Sequence, residues 1–571
     1  MTSLLVYAYA FSLPLTAFSI FPWFGFQLSY AITLVLGVIV ILRSLLVGRI
    51  SIPSTPVNRA VIIFWAASLF SIIGVMTADA YAEFQGETPV SKFSKQAFAL
   101  SFMIAMYFIL VASIKNKPIL LNSIKIFIFS TFLSAVYGFY QLIGAFWDLP
   151  YRRLLFNNPS YHLAQEEYGF MDLFRITSFS PEPSMFANFL LAVIPLIIVC
   201  HLNKVKIFCS TTWDAFFLTI ILTAMLLTFS RGGYLIVLIT LLIIVFLKFN
   251  FKLLARMLLI VMLFLMVGLA FSQFWGSNII DWTMERLFSI GDFDDLSIWE
   301  RSTALATAGY IFIDHTILGV GLGNFGLNFF KYMPSWGYMG EETLPAANNL
   351  IASIAAESGV VGLAAFIYLI WVVTKEGITS IRQNRGEVFW HSMSTGVLLS
   401  FLAVFLHLSI GLATLSFSYF WFLIAVIVIL NKMKEESQKT ASILGEKKHP
   451  EARKKSMKVL FKNRVDAFDK PGGDVIQMLK IKEFLEKRGC EIEISLKFDD
   501  DLSPYDVVHI FNTVRIHESY YHAVAAKRHG KPVALSTIYW NFEEFEKLGR
   551  TGVLSFINLL AGSNAREYSK C

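Results

Sequence analysis

A run of about 20 apolar residues can cross a bilayer as a helix, and a chain built from such runs has few folds open to it. This sequence carries one after another. Apolar stretches occupy 4–22, 27–47, 60–79, 95–113, 123–147, 183–200, 212–230, 233–249, 253–273, 347–373, 391–411 and 416–433. They predict a polytopic α-helical membrane protein with about twelve transmembrane helices. Composition agrees: 56% of the 571 residues are hydrophobic and only 16% are charged, with a mean hydropathy of +0.60. The N-terminus lacks a basic segment, and its first apolar run leads almost directly into a second. A first transmembrane helix is therefore expected in place of a cleaved signal peptide.

Loop charge sets an expected orientation. Arg43, Arg49, Arg59, Lys115, Lys117, Lys125, Lys204, Lys206, Lys248, Lys252, Arg256, Lys375, Arg382 and Arg385 all fall on one side of twelve spans. The positive-inside rule makes that side cytoplasmic and both termini cytoplasmic. Segments 80–94, 148–182, the SRGG turn and 274–343 then face outward. The net charge of +7 is explained largely by topology and does not indicate a nucleic-acid partner. The four cysteines, Cys200, Cys209, Cys490 and Cys571, form no close CxxC pair, so neither a disulfide framework nor a zinc site is expected.

Four outward features carry candidate chemistry. The segment Arg175–Asn188 reads RITSFSPEPSMFAN; Pro181 and Pro183 stiffen the entry to a span, and Glu182 sits between them. In FSRGG, Arg231 is an isolated cation between two spans, and Gly232 and Gly233 permit a tight turn with exposed N–H groups suited to a phosphate. The loop 274–343 is acidic and aromatic, with Arg286 and Arg301 among its few cations; Arg301 opens an apolar helix expected to lie against the membrane surface. It continues through His315 into Gly319, Gly321 and Gly323. No strand precedes these glycines and no Walker lysine follows, so a close-packed turn is expected, not a nucleotide loop. Last, Asn348 and Asn349 can cap a helix that carries Glu357 into an apolar segment, where an ionisable group is a functional candidate by default. Together, Arg175, Arg231, Arg286 and Arg301 could neutralise a diphosphate, near Glu182, Glu357 and His315. Diphosphate is a good leaving group once its charge is stabilised, and no metal or cofactor is required.

The order SRGG, then WERSTALATAGYIFIDHTILGVGLGNF, then NNLIASIAAESGVVG, with RITSFSPEPSMFAN before them, resembles the O-antigen ligase and polymerase superfamily over roughly residues 1–435. The resemblance implies a bacterial inner-membrane glycosyltransferase. It would move a glycan from an undecaprenyl-diphosphate carrier to a lipid or carbohydrate acceptor, in O-antigen or exopolysaccharide assembly. It also implies that Arg231 and Arg301 contact the diphosphate. The family's proposed acceptor-activating histidine matches Asn348, which has no useful basicity and could only orient an acceptor. The expected catalytic set is thus Arg231, Arg301, Asn348 and Glu357. The expected substrate-binding set is Arg175, Glu182, Gly232, Gly233, Arg286, His315 and Asn349. Glu182, Glu341, Glu342 and His315 stay open, with Glu357, as the base, and so does a reaction with no strong base.

Composition changes after Leu430. Residues 436–456 read as a charged linker, and 457–571 as a small cytoplasmic α/β, Rossmann-like domain: MKVLF, EIEISL, DVVHIFN and PVALSTIY as strands separated by helices. This unit resembles the N-terminal half of a GT-B glycosyltransferase of the glycosyltransferase 4 type, with Gly472 and Gly473 matching its early glycine loop. The donor-binding second half of that fold is missing, so the resemblance implies acceptor binding, regulation or docking of other polysaccharide-assembly proteins. Two further readings compete for the whole chain. A transporter or flippase should show paired half-repeats or broken helices, and no repeat is evident. A scaffold would tolerate loss of Arg231 and Arg301.

Overall fold

The computed structural model describes residues 2–17, 19–21, 26–47, 54–77, 86–147, 175–248, 296–337, 345–445, 457–469, 471–511 and 515–536. The chain divides into two compact units, Met1–Ser442 and Ile443–Cys571. The division falls within the expected linker.

The first unit is helical. Its elements are α1 (Thr2–Ser12), a small β1–β2 hairpin (Ser19–Phe21 and Phe26–Gln27), α2 (Leu28–Val47), α3 (Pro56–Phe70), α4 (Ile72–Thr77), α5 (Pro89–Ser113) and α6 (Lys117–Trp147). There follow α7 (Pro183–Leu191), α8 (Ile194–Leu202), α9 (Thr211–Leu227), α10 (Arg231–Lys248), α11 (Leu296–Asp314), α12 (Phe325–Tyr332), α13 (Leu350–Gln383), α14 (Val388–Gly411) and α15 (Ser418–Gly445). Among the described residues, seven helical stretches are long and apolar enough to cross a membrane, and the shorter apolar helices Thr2–Ser12, Thr211–Leu227, Arg231–Phe246 and Ser418–Met433 accompany them. The expected span at 253–273 lies outside the described residues. Helix starts follow local chemistry. Thr55 and Thr88 accept hydrogen bonds from the N–H of Asn58 and Ser91, with Pro56 and Pro89 next in line, where a missing N–H costs nothing.

Four expected spans are not continuous helices: 60–79 divides at Ser71 between α3 and α4, 347–373 is broken at Gly359 within α13, and two more are interrupted near prolines. The first run, read as 4–22, is helical only to Ser12. Pro14 has no N–H to donate and its ring would strike the carbonyl four residues back. The chain instead turns, and Ala17 N–H donates to Phe179 O at 2.8 Å, tying this segment to the SFSPEP stretch. The run at 183–200 is broken at Ala192 and Val193 between α7 and α8. Pro195 removes the donor that Leu191 would need.

Basic residues between spans gather as their sequence positions suggest. Burial lowers the Lys115 ammonium from its ordinary range, and the charges of Arg43 and Lys432 add to the shift. Lys117 lies 4.9 Å from the centroid of the Trp390 ring. The ends of α2, α5, α6, α14 and α15 that carry or adjoin these residues therefore meet at one end of the bundle.

The second unit holds β3 (Lys458–Lys462), α16 (Gly473–Glu486), β4 (Glu491–Ile494), β5 (Val507–Phe511), α17 (Ile516–Arg528) and β6 (Val533–Ser536). The sheet is parallel throughout, in the order β4-β3-β5-β6. This is an α/β layer with helices following β3 and β5. The expectation of helices between all strands fails once: residues 495–506 join β4 to β5 without one. The order reverses at the β3/β5 boundary, where open parallel sheets form a crevice. That crevice is lined by Asn463, Arg464, Phe511, Arg515, Glu518 and His522.

Candidate functional site

The candidate site is built outward from the turn between α9 and α10. Residues 228–230 reverse the chain, and Phe229 takes φ 48, a left-handed conformation uncommon for a bulky side chain. Arg175 holds that turn: its Nε donates to Thr228 O at 3.1 Å and its Nη2 to Phe229 O at 3.4 Å. Ser230 then caps α10, accepting from Gly233 N–H at 3.3 Å. Arg231 is the first residue of the helix.

This corrects the expected role of the two glycines. Neither has a positive φ; both lie inside the first helical turn. What they provide is close approach. A β-carbon at Gly233 would stand 3.0 Å from Ala187 Cβ, and one at Gly232 would stand 3.2 Å from His407 Nε2.

His407 is the residue that sequence reasoning missed. It lies on α14 and is 1% exposed. Its Nδ1 is 3.1 Å from Asn188 Nδ2, at the end of RITSFSPEPSMFAN, and Tyr419 donates to Asn188 Oδ1 at 2.6 Å. The charge of Arg301 also acts on the ring. So Asn188 of α7, the SRGG turn and α14 meet at one imidazole, on which the Arg301 charge acts. The signal was present: a histidine inside an apolar span meets the same rule that selected Glu357.

Arg301 sits inside α11, not at its start, because the helix already begins at Leu296. Burial pushes the neighbouring Glu300 carboxyl above its ordinary range, and the Arg301 charge opposes that shift. The face Ala304, Ala308 and Ile311 packs with Phe325, Phe329 and Ala356, which docks α11 onto α12 and α13.

The glycine run between α11 and α12 is the expected close-packed turn. Gly319, Gly321 and Gly323 have φ of 66, 96 and 81. Val320 and Gly321 N–H donate to Ala356 O and Glu357 O at 3.0 and 2.9 Å, and Val360 N–H donates back to Thr316 O at 2.7 Å. Gly359, with φ 61, breaks the regular course of α13 to allow this exchange. Glu357 is bound into the same knot: its carboxylate accepts from the N–H of Phe325 at 3.4 Å and from Gly323, with Lys92 as its charged neighbour. No arginine is its partner among these contacts.

The other candidates are placed as follows. His315 Nε2 is 3.0 Å from Tyr332 Oη, and Tyr332 in turn donates to Asp314. That trio stands at the exposed end of α11. Glu182 precedes α7 and accepts from Ser184 Oγ at 3.1 Å, without capping the helix. Asn348 adopts φ 51, and Asn349 caps α13 by accepting from Ala352 N–H at 3.0 Å. Arg286, Glu341 and Glu342 lie outside the described residues. Among the described residues, no group of three His, Cys, Asp or Glu side chains could hold a metal ion.

In the second unit, Gly472 is the N-cap of α16 and lies against Asp474 and Arg464. Arg464 pairs with Asp466 and Asp474, and Arg515 with Asp466 and Glu518. The crevice is thus lined by charges that already neutralise one another.

Residues 216–367 match the sequence model of a family described as O-antigen ligase. The matched stretch contains Arg231, Arg301 and Glu357; Asn188 and His407 lie outside it. A comparison with curated proteins finds no match.

Proposed function

We propose that this chain is a membrane glycosyltransferase of the O-antigen ligase or polymerase type. It transfers a glycan from an undecaprenyl-diphosphate carrier to an acceptor hydroxyl at the outer face of the bacterial cytoplasmic membrane. The observation that carries this reading is the match of residues 216–367 to a family described as O-antigen ligase, a stretch that holds Arg231 and Arg301 on two separate helices. Cations there stabilise the diphosphate as the glycosidic C–O bond breaks and the acceptor oxygen takes its place. Arg175 shapes the turn that presents Arg231. Asn348 orients the acceptor without acting as a base, and no metal is used. The second unit binds an acceptor or docks an assembly partner.

The transporter reading gains the breaks between α3 and α4, between α7 and α8 and at Gly359 within α13. Pro195 accounts for the second and the backbone exchange with the glycine turn for the third, and no paired half-repeat accompanies them.

The test is a reconstituted reaction with a diphosphate-linked oligosaccharide and candidate acceptors, following carrier release and product length. Arg231→Ala and Arg301→Ala should each lower turnover by about 10²–10³-fold, the usual loss on removing one oxyanion-stabilising group. A single addition marks ligation and a ladder marks polymerisation. Turnover unchanged in both variants would sink the reading.

A further inference from the structure

Three helices of the first unit, α2, α5 and α15, run side by side in one direction, and their contacts fix the register. The Tyr30 ring of α2 lies 5.2 Å from the Phe102 ring of α5, and a β-carbon at Gly37 would stand 3.0 Å from Ile109 Cδ1. Each contact pairs a residue of α2 with the one 72 positions further on, so α2 and α5 are parallel. α15 starts beside the start of α2, with Ser29 Oγ and Ser418 Oγ 3.2 Å apart. It then follows α5, since the Trp421 ring lies 6.5 Å from the Tyr107 ring.

This register brings three cations to one level. The step of 72 positions that joins Tyr30 to Phe102 also joins Arg43 to Lys115. Arg43 and Lys432 each stand 14 residues beyond the Ser29–Ser418 contact, about 21 Å along their helices. The charges of Arg43 and Lys432 both reach the Lys115 ammonium. Lys115 is exposed, and Arg43 and Lys432 are half-buried. Among the described residues no carboxylate forms an ion pair with Arg43 or Lys115. Glu376 of α13, which contacts the residue before Lys432, accepts from Asn431 Nδ2 at 2.5 Å. An anion at this level relieves the repulsion among the three cations.

The surroundings say which anion. Leu42 and Leu45, beside Arg43 in sequence, are 42% and 73% exposed, and Val38 and Ile41 continue the exposed apolar surface along α2. Two residues beyond Lys115, Lys117 lies over the Trp390 ring, and tryptophan concentrates at headgroup level. A dissolved phosphate would leave the apolar strip uncovered, whereas a phospholipid covers it and meets the cations as well.

We propose that Arg43, Lys115 and Lys432 bind the phosphate of an anionic phospholipid, whose acyl chains lie along the exposed apolar face of α2. Basic clusters between helix ends at a membrane face hold anionic headgroups through this combination of charge and apolar contact. The site is independent of the glycosyl-transfer reading.

The test counts lipid bound to the full chain in detergent by native mass spectrometry, with phosphatidylglycerol and phosphatidylcholine of the same acyl chains as probes. The wild type should bind the anionic lipid about tenfold or more tightly than the zwitterionic one. Arg43→Gln, Lys115→Gln and Lys432→Gln should each weaken phosphatidylglycerol about fivefold, the loss expected for one cation at an anionic surface. Together they should bring it to within about threefold of phosphatidylcholine. The control combines Lys206→Gln, Arg382→Gln and Arg385→Gln, which removes the same charge from other loops and should keep the wild-type preference. If the triple variant does not fold, the three single variants decide. Equal affinity of the wild type for the two lipids overturns the proposal. So does a control that loses the preference as the triple variant does, which marks diffuse surface charge and no site. Displacement of phosphatidylglycerol by inorganic phosphate at equal concentration marks a free-anion site and overturns the lipid.

Discussion

A methyl group at position 319 has nowhere to go. Its carbon would lie 2.4 Å from Glu357 C and 2.5 Å from Ala356 O, on a backbone with φ 66. Gly359 mirrors it, with Ile317 O at 2.3 Å and φ 61. Both obstacles are main chain, which cannot swing aside as a side-chain end can. Gly319→Ala and Gly359→Ala should each therefore destabilise the full chain by about 2–4 kcal/mol, combining left-handed strain with overpacking. Gly309 is the control: it lies in α11 with open space around its added carbon. Gly309→Ala should be neutral or stabilising by up to about 1 kcal/mol. Thermal unfolding in detergent, scanned at one rate, reads all three, and equal midpoints across the series would refute the close-packing account. That 319–323 is a packed turn is legible locally, from the missing strand and lysine. Its partner is not, because the backbone it meets belongs to a helix about forty residues further on. The same limit misleads at Gly232 and Gly233, where a GG pair reads as a turn. The neighbours that require glycine there, Ala187 and His407, are remote in sequence.

Helices are legible where one local cause sets them. The Thr-Pro pairs at 55–56 and 88–89 are local start signals that the structure uses, four to six residues before the apolar runs read as 60–79 and 95–113. Pro14 and Pro195 are visible in the sequence too, yet apolar length alone reads across both. The start of α13 shows how neighbouring, identical residues divide their duties. Asn349 caps the helix through its side chain, whereas Asn348 is needed at its backbone, in a left-handed conformation that Asn, Asp and His tolerate better than most. Asn349→Ala should cost about 0.5–2 kcal/mol of stability, the usual loss of an N-cap. Asn348→Gly should cost none, because glycine adopts φ 51 freely. If Asn348 orients an acceptor, its glycine variant loses glycosyl transfer while keeping its thermal midpoint. Paired unfolding and transfer assays separate the two residues, and identical behaviour in both assays would reject the division.

At the scale of the whole chain, charge and hydropathy foretell more than contacts do. The clustering of Arg43, Lys115 and Lys432 follows from their places at or near the ends of apolar runs, which are local in sequence. The convergence on His407 draws on residues 188, 232, 301 and 419, and no periodicity in one segment announces it. In the second unit the strands are legible as apolar runs, but the burial of a titrating histidine is not. His522 is 3% exposed, its ring stacks 5.0 Å from Phe498, and its Nε2 has no hydrogen-bond partner among the described residues. Burial lowers its pKa to about 4, the Lys462 charge adds to the shift, and Glu518 opposes it. An unfolded histidine titrates near 6.5, so between about 4 and 6.5 the unfolded state binds a proton that the native state refuses. Stability from this group is complete above about 6.5 and is lost as pH falls toward 4. Hydrogen exchange at the β3 and β5 amides of the full chain, corrected for intrinsic rates, should show protection falling between pH 7 and pH 4.5. His522→Gln cannot titrate in this range, and should flatten that part of the profile while lowering protection at pH 7 through lost stacking. A wild-type profile that stays level across the window, or a variant profile that falls as steeply, would mean that the histidine is not held neutral by the fold.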